Sequence, residues 1–127
     1  MTEREAAQYS PLTLAYLGDA VYEQLVRERL VCESNRNTGE LHKLSTLRVC
    51  ASFQSAAADE ILPMLTEKEL SVFKRGRNAT GNTVPKHTSV ADYRRATALE
   101  CLFGYLHLTG NNQRICELFD TIWKIKI

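Results

Sequence analysis

Asp19 and Glu100 each stand among apolar residues, close to a glycine. Asp19 follows Gly18 within Tyr16-Leu-Gly-Asp-Ala-Val21. Leu14, Leu17, Val21 and Leu25 recur at steps of three and four, which predicts one buried helical stripe beside Asp19. Glycine inside a helix costs about 1 kcal/mol relative to alanine, so Gly18 suggests that something approaches the backbone there. A carboxylate next to a core is expensive unless it is paired, hydrogen-bonded or bound to a metal. Glu100 is the only acid between Arg95 and Leu108, a segment apolar on nearly all sides, and Gly104 follows one turn later. Helices built this way could pack so that the two acids meet. Close carboxylates repel one another and call for a cation between them, and Mg2+ prefers oxygen ligands. Periodicity alone leaves open the plainer case, an Asp19 that faces water.

Tyr16-Leu-Gly-Asp-Ala-Val21 resembles the signature of the ribonuclease III catalytic domain, and Ala98-Leu-Glu-Cys-Leu-Phe-Gly104 its second acidic motif. More specifically, Leu41-His-Lys43, Phe73-Lys-Arg-Gly-Arg-Asn-Ala79, Pro85-Lys86 and Tyr93-Arg-Arg-Ala-Thr-Ala-Leu-Glu100 are similar to the Mini-III ribonucleases. Those are short bacterial enzymes with the ribonuclease III catalytic fold and no double-stranded-RNA-binding domain. The resemblance runs in order from about Leu12 to Leu108.

It implies a Mg2+-dependent endoribonuclease, with Mn2+ as a substitute ion, in which Asp19 and Glu100 are the catalytic metal ligands. The implied substrate is double-stranded RNA, in particular the ends of precursor 23S ribosomal RNA, cut to leave a 5′-phosphate and a 3′-hydroxyl. It also implies a homodimer with Tyr16 at the subunit junction, although an aromatic at that position suits a core equally well. A ribosomal protein stands as a further partner. The wider ribonuclease III pattern has a glutamate where this chain has Ala15 and an aspartate where it has Thr97; Mini-III sequences share both differences. Those losses motivate a rival reading, a non-catalytic double-stranded-RNA-binding protein that keeps the fold. A helical dimer with purely structural acids is a third.

The elements that must position these residues are helical. Ser10-Pro11 starts a helix expected to run to about Val31, after a flexible stretch over residues 1–9. Asn37-Thr-Gly-Glu40 opens a second, which carries Leu41, Leu44, Leu47 and Phe53 and continues into Ala56–Ala58. Pro63 interrupts, and Thr66-Glu-Lys-Glu69 starts a third that ends near Gly76. Residues 78–85 form the one long loop. Ser89 caps the Glu100 helix, which stops near Gly110, and Asn112 opens a last one. With no convincing strand and no internal repeat, the expectation is an all-α, ribonuclease III-like bundle of about six helices in a single domain over 1–127.

The 127 residues fit one domain, and 44% apolar with 24% charged content is ordinary for a globular protein. No apolar run is long enough to span a bilayer and no secretory signal is evident, so a cytoplasmic protein without membrane contact is expected. Cys32, Cys50, Cys101 and Cys116 lack metal or disulfide spacing and are expected to be buried free thiols. Net charge is only +1, yet six basic residues lie between Lys74 and Arg95 against Asp92 alone. That asymmetry suits a phosphate-binding face, with Lys74, Arg75, Arg77, Asn78 and Lys86 as the RNA contacts. His42, Lys43 and Arg48 are read as a solvated face or as part of an RNA groove. Glu23 is read first as half of a surface ion pair.

Overall fold

Short polar side chains set the helix starts. Thr2, Asn37, Thr66 and Ser89 each accept a hydrogen bond from the backbone amide three residues on, and Thr66 with Glu69 completes the reciprocal box. Ser10 makes no such bond; Pro11 begins its helix because an absent N–H costs nothing at the first position. A computed structural model describes residues 1–79 and 84–127; the centre of the expected loop, 80–83, lies outside the described residues.

Among the described residues there are seven α-helices and no strand: α1 Glu3–Ala7, α2 Pro11–Glu33, α3 Thr38–Val49, α4 Ala51–Ile61, α5 Glu67–Arg77, α6 Val90–Leu108 and α7 Asn112–Trp123. A 3₁₀ turn, Leu62–Met64, holds Pro63. The expected count of about six rises for two reasons. Residues expected to be flexible form α1, whose Ala6 is fully buried and whose Ala7 carbonyl is held by Arg75. The second expected helix is broken at Cys50, whose ψ of 155° is extended.

The α6 helix runs through the centre, buried almost continuously from Ala96 to Leu106, with α2, α4, α5 and α7 packed around it. Tyr22 on α2 meets Phe103 of α6 and Phe119 of α7 edge to face, at 5.9 and 5.8 Å between ring centroids. Its hydroxyl donates to the Arg48 carbonyl at 2.7 Å, which satisfies the one polar atom it brings inside.

The buried stripe of α2 differs from the expected one. Leu14, Ala15, Gly18, Tyr22, Val26 and Leu30 are buried, whereas Leu17, Val21 and Leu25 are half-buried. The contact with α6 is centred on the glycine, which turns its neighbours toward the flanks. The thiols also depart from expectation: Cys101 is buried, but Cys32, Cys50 and Cys116 are exposed. Cys116 points outward because Ile115, Leu118, Phe119 and Ile122 take the inner face of α7.

Candidate active site

The site begins with two glycines. At Gly18 an added Cβ would sit 1.6 Å from the Glu100 carbonyl oxygen, and at Gly104 one would sit 2.0 Å from the Leu14 carbonyl oxygen. Helices α2 and α6 therefore cross backbone against backbone, with reciprocal gaps that only glycine leaves. Asp19 is the next residue after one glycine and Glu100 lies one turn before the other, so the crossing brings both acids to one place.

They meet in a cleft of about 610 Å³. Tyr16 and Asp19 come from α2, Cys50 and Gln54 from the break into α4, Pro85 and Thr88 from the segment before α6, and Tyr93, Thr97 and Glu100 from α6. Asp19 is exposed and Glu100 half-buried. Burial pushes the Glu100 carboxyl up to about 8, helped by its hydrogen bond to Asp19 and by that carboxylate's charge. Gln54 opposes the shift: its Nε2 donates to Glu100 Oε2 at 3.4 Å. Ala15 and Thr97 line the same cleft, so the two acids absent from this chain would have stood here as well. Thr97 turns its hydroxyl to the Tyr93 carbonyl at 3.0 Å.

A hard divalent cation suits this donor set. Two carboxyl groups lining one cleft, one of them with a raised affinity for its proton, form an acid pair that a cation would relieve. Among the described residues no cluster of three or more His, Cys, Asp or Glu could hold a metal. The protein thus offers two anionic groups, and Mg2+, which keeps several waters, accepts such a sparse set.

The basic residues are arranged less simply than their sequence cluster suggests. Lys74, Arg77 and Lys86 are exposed, and Lys86 adjoins Pro85 at the cleft wall. Arg75 instead donates to the carbonyls of Ala7 at 3.0 Å and Tyr9 at 3.2 Å, so it fastens the N-terminal segment. Lys74, Arg75 and Asn78 line a second groove, of about 680 Å³, beside Pro11. Arg95 is ion-paired with Asp59. Glu23 pairs with Arg27 at 3.2 Å, as a surface salt bridge. Tyr16 is 84% exposed at the rim, which removes the core reading of that ring.

Sequence reasoning missed Gln54. It is 3% exposed, and its Oε1 has no hydrogen-bond partner among the described residues, a loss worth about 1–3 kcal/mol for a buried acceptor. No spacing signal marks it, because its place depends on the break at Cys50.

A bundle whose two central helices cross at glycines and join two acids has the build of a ribonuclease III catalytic domain, and a Ribonuclease III domain model matches residues 12–111. A Mini-ribonuclease 3 of Symbiobacterium thermophilum is 45% identical over 110 residues, covering 87% of this chain and 85% of that protein. One of Enterococcus faecalis is 42% identical over 125 residues, covering 97% and 93%. The crystal structure of a Fusobacterium nucleatum protein matches with a TM-score of 0.85 at 32% identity, over 92% of this chain and 93% of that one. The chain belongs to the ribonuclease III family, in its Mini-ribonuclease 3 branch, and is an endoribonuclease. No helix among the described residues is long and apolar enough to cross a membrane.

Proposed function

We propose that this endoribonuclease cleaves double-stranded RNA with Mg2+, or Mn2+ in its place, held by Asp19 and Glu100. The observation that carries this reading is the contact of the two carboxyls in one cleft at the Gly18–Gly104 crossing. When bound, the ion supplies what phosphodiester hydrolysis requires, charge neutralisation at the phosphate and activation of the attacking water. Asp19, at the open side, and Glu100, seated deeper, fix its place; Glu100 gives up its proton as it does so. Lys74, Arg77 and Lys86 bear the phosphate backbone, while Arg75 stiffens the helix that presents two of them. Two copies paired through the exposed Tyr16 place one cleft over each strand of an A-form duplex, which proteins recognise by shape. The products carry a 5′-phosphate and a 3′-hydroxyl, and the proposed natural substrate is the ends of precursor 23S ribosomal RNA.

The test is cleavage of duplex RNA in Mg2+ by the unaltered protein, Asp19→Asn and Glu100→Gln. Loss of cleavage by about 100-fold or more in both variants, with duplex binding retained, is the expected result. Duplex binding without cleavage by the unaltered protein would instead support the binding-only reading.

A further inference from the structure

The orphaned amide oxygen of Gln54 marks a side chain kept in the interior for what its other end does. Helix α3 ends at Val49 and the chain turns extended at Cys50 before α4 begins. That break removes the continuous helix in which the Val49 carbonyl would be capped four residues on. Gln54, inside the first turns of α4, fills the gap: its Nε2 donates to Val49 O at 2.9 Å and to Glu100 Oε2 at 3.4 Å. Both amide hydrogens are thereby used, and the opposite orientation would set oxygen against the Val49 carbonyl with no hydrogen between them. An apolar side chain of the same length would avoid a buried, unpartnered oxygen. The glutamine that stands here instead connects the α3–α4 corner to the deeper acid of the cleft.

We infer that Gln54 is a positioning residue of the cation site: its amide holds one oxygen of Glu100 and leaves the other to face Asp19 and the ion both acids hold. This rests on the divalent-ion reading of the two acids. Residues that orient a ligand from behind are typically worth about 10- to 100-fold in metal affinity. Among the described residues the cleft is lined by two acids, Asp19 and Glu100, so the direction of each carboxylate counts for more than in a four-acid site.

The test is Mn2+ binding, followed by electron paramagnetic resonance, in the unaltered protein, Gln54→Met, Asp19→Asn and Ile61→Val. Gln54→Met keeps length and volume and removes the amide. Ile61→Val, at a fully buried position on α4, shows what destabilisation alone does to binding. The expected result is an affinity about tenfold or more lower in Gln54→Met. Its metal-free melting temperature should fall, because the Val49 carbonyl loses its donor, and Ile61→Val shows how little a comparable destabilisation does to binding. An affinity loss in Gln54→Met no larger than in Ile61→Val overturns the role of Gln54 and leaves the cation site standing. No Mn2+ binding by the unaltered protein, or binding undiminished in Asp19→Asn, overturns the cation site and this role with it.

Discussion

Gly18 and Glu100 touch through their backbones: the space a Cβ at Gly18 would need is already filled by the Glu100 carbonyl, 1.6 Å away. No side-chain rotation relieves such a clash, because the obstacle is main chain. Gly18→Ala must separate α2 from α6, and with them Asp19 from Glu100. Overpacking of this kind costs about 1–3 kcal/mol or more, so a lower melting temperature and strongly reduced cleavage are expected together. Gly104→Ala, 2.0 Å from the Leu14 carbonyl oxygen, should behave alike. Gly39→Ala is the contrast: its Cβ would meet only the Asn37 side chain at 3.5 Å, and a gain of about 0.4–1 kcal/mol is expected.

The acid pair makes stability and cation binding depend on pH. Glu100 has its carboxyl raised from 4.5 to about 8, by burial first and then by Asp19, so the folded state keeps a proton that the unfolded chain releases. Stability from this group is complete below its unfolded value and falls as pH rises through the folded one. Thermal melts without divalent ions should therefore show declining stability as pH rises from 4.5 toward 8. Mg2+ must displace that proton, so its affinity should climb over the same window. Asp19→Asn removes the neighbouring charge and should make the stability decline shallower, leaving the part due to burial.

Glu69 and Arg114 give an opposite pH dependence far from the cleft. Arg114 grips the buried carboxylate twice, Nε to Oε2 at 2.9 Å and Nη2 to Oε1 at 3.0 Å, and donates to Met64 O at 2.7 Å. Burial alone would raise Glu69, but the hydrogen bonds from Arg114 and Thr66 outweigh it and hold the carboxyl below its usual range. This contribution is present above the unfolded value and is lost as pH falls through the folded one. Arg114→Met removes two hydrogen bonds to Glu69 and leaves the one from the Thr66 amide, so denaturant unfolding should show a loss of about 1–3 kcal/mol.

The basic residues should separate by role. Lys74→Ala, Arg77→Ala and Lys86→Ala should weaken duplex binding and each reduce the salt dependence by about one ion, with melting temperature unchanged. Arg75→Ala releases the Ala7 and Tyr9 carbonyls, so it should lower the melting temperature instead. Filter binding across a salt series, beside thermal melts, distinguishes the two groups.

What the sequence made legible was what local chemistry controls. Capping residues placed the starts of α3, α5 and α6, and a glycine beside each acid announced the crossing of α2 and α6. That crossing sets Asp19 and Glu100 in one cleft; their role as metal ligands was implied by the resemblance to ribonuclease III, not by the spacing. The stripe on α2 was misplaced by about one position because Gly18, not Leu17, faces the partner helix. Cys50 has no breaker signature, so the α3–α4 corner was missed, and Gln54 with it. Arg75 reads as one more cation in a cluster; only the fold of α1 back onto α5 assigns it to the N-terminal carbonyls. Long-range relationships of this sort leave no period and no spacing in a single chain.

Diffraction near the manganese absorption edge from a Mn2+-soaked crystal tests the central claim most directly. An anomalous peak within coordination distance of both Asp19 and Glu100, absent from Asp19→Asn crystals, is the predicted result. Manganese bound elsewhere, with the two carboxyls still hydrogen-bonded to each other, would contradict it.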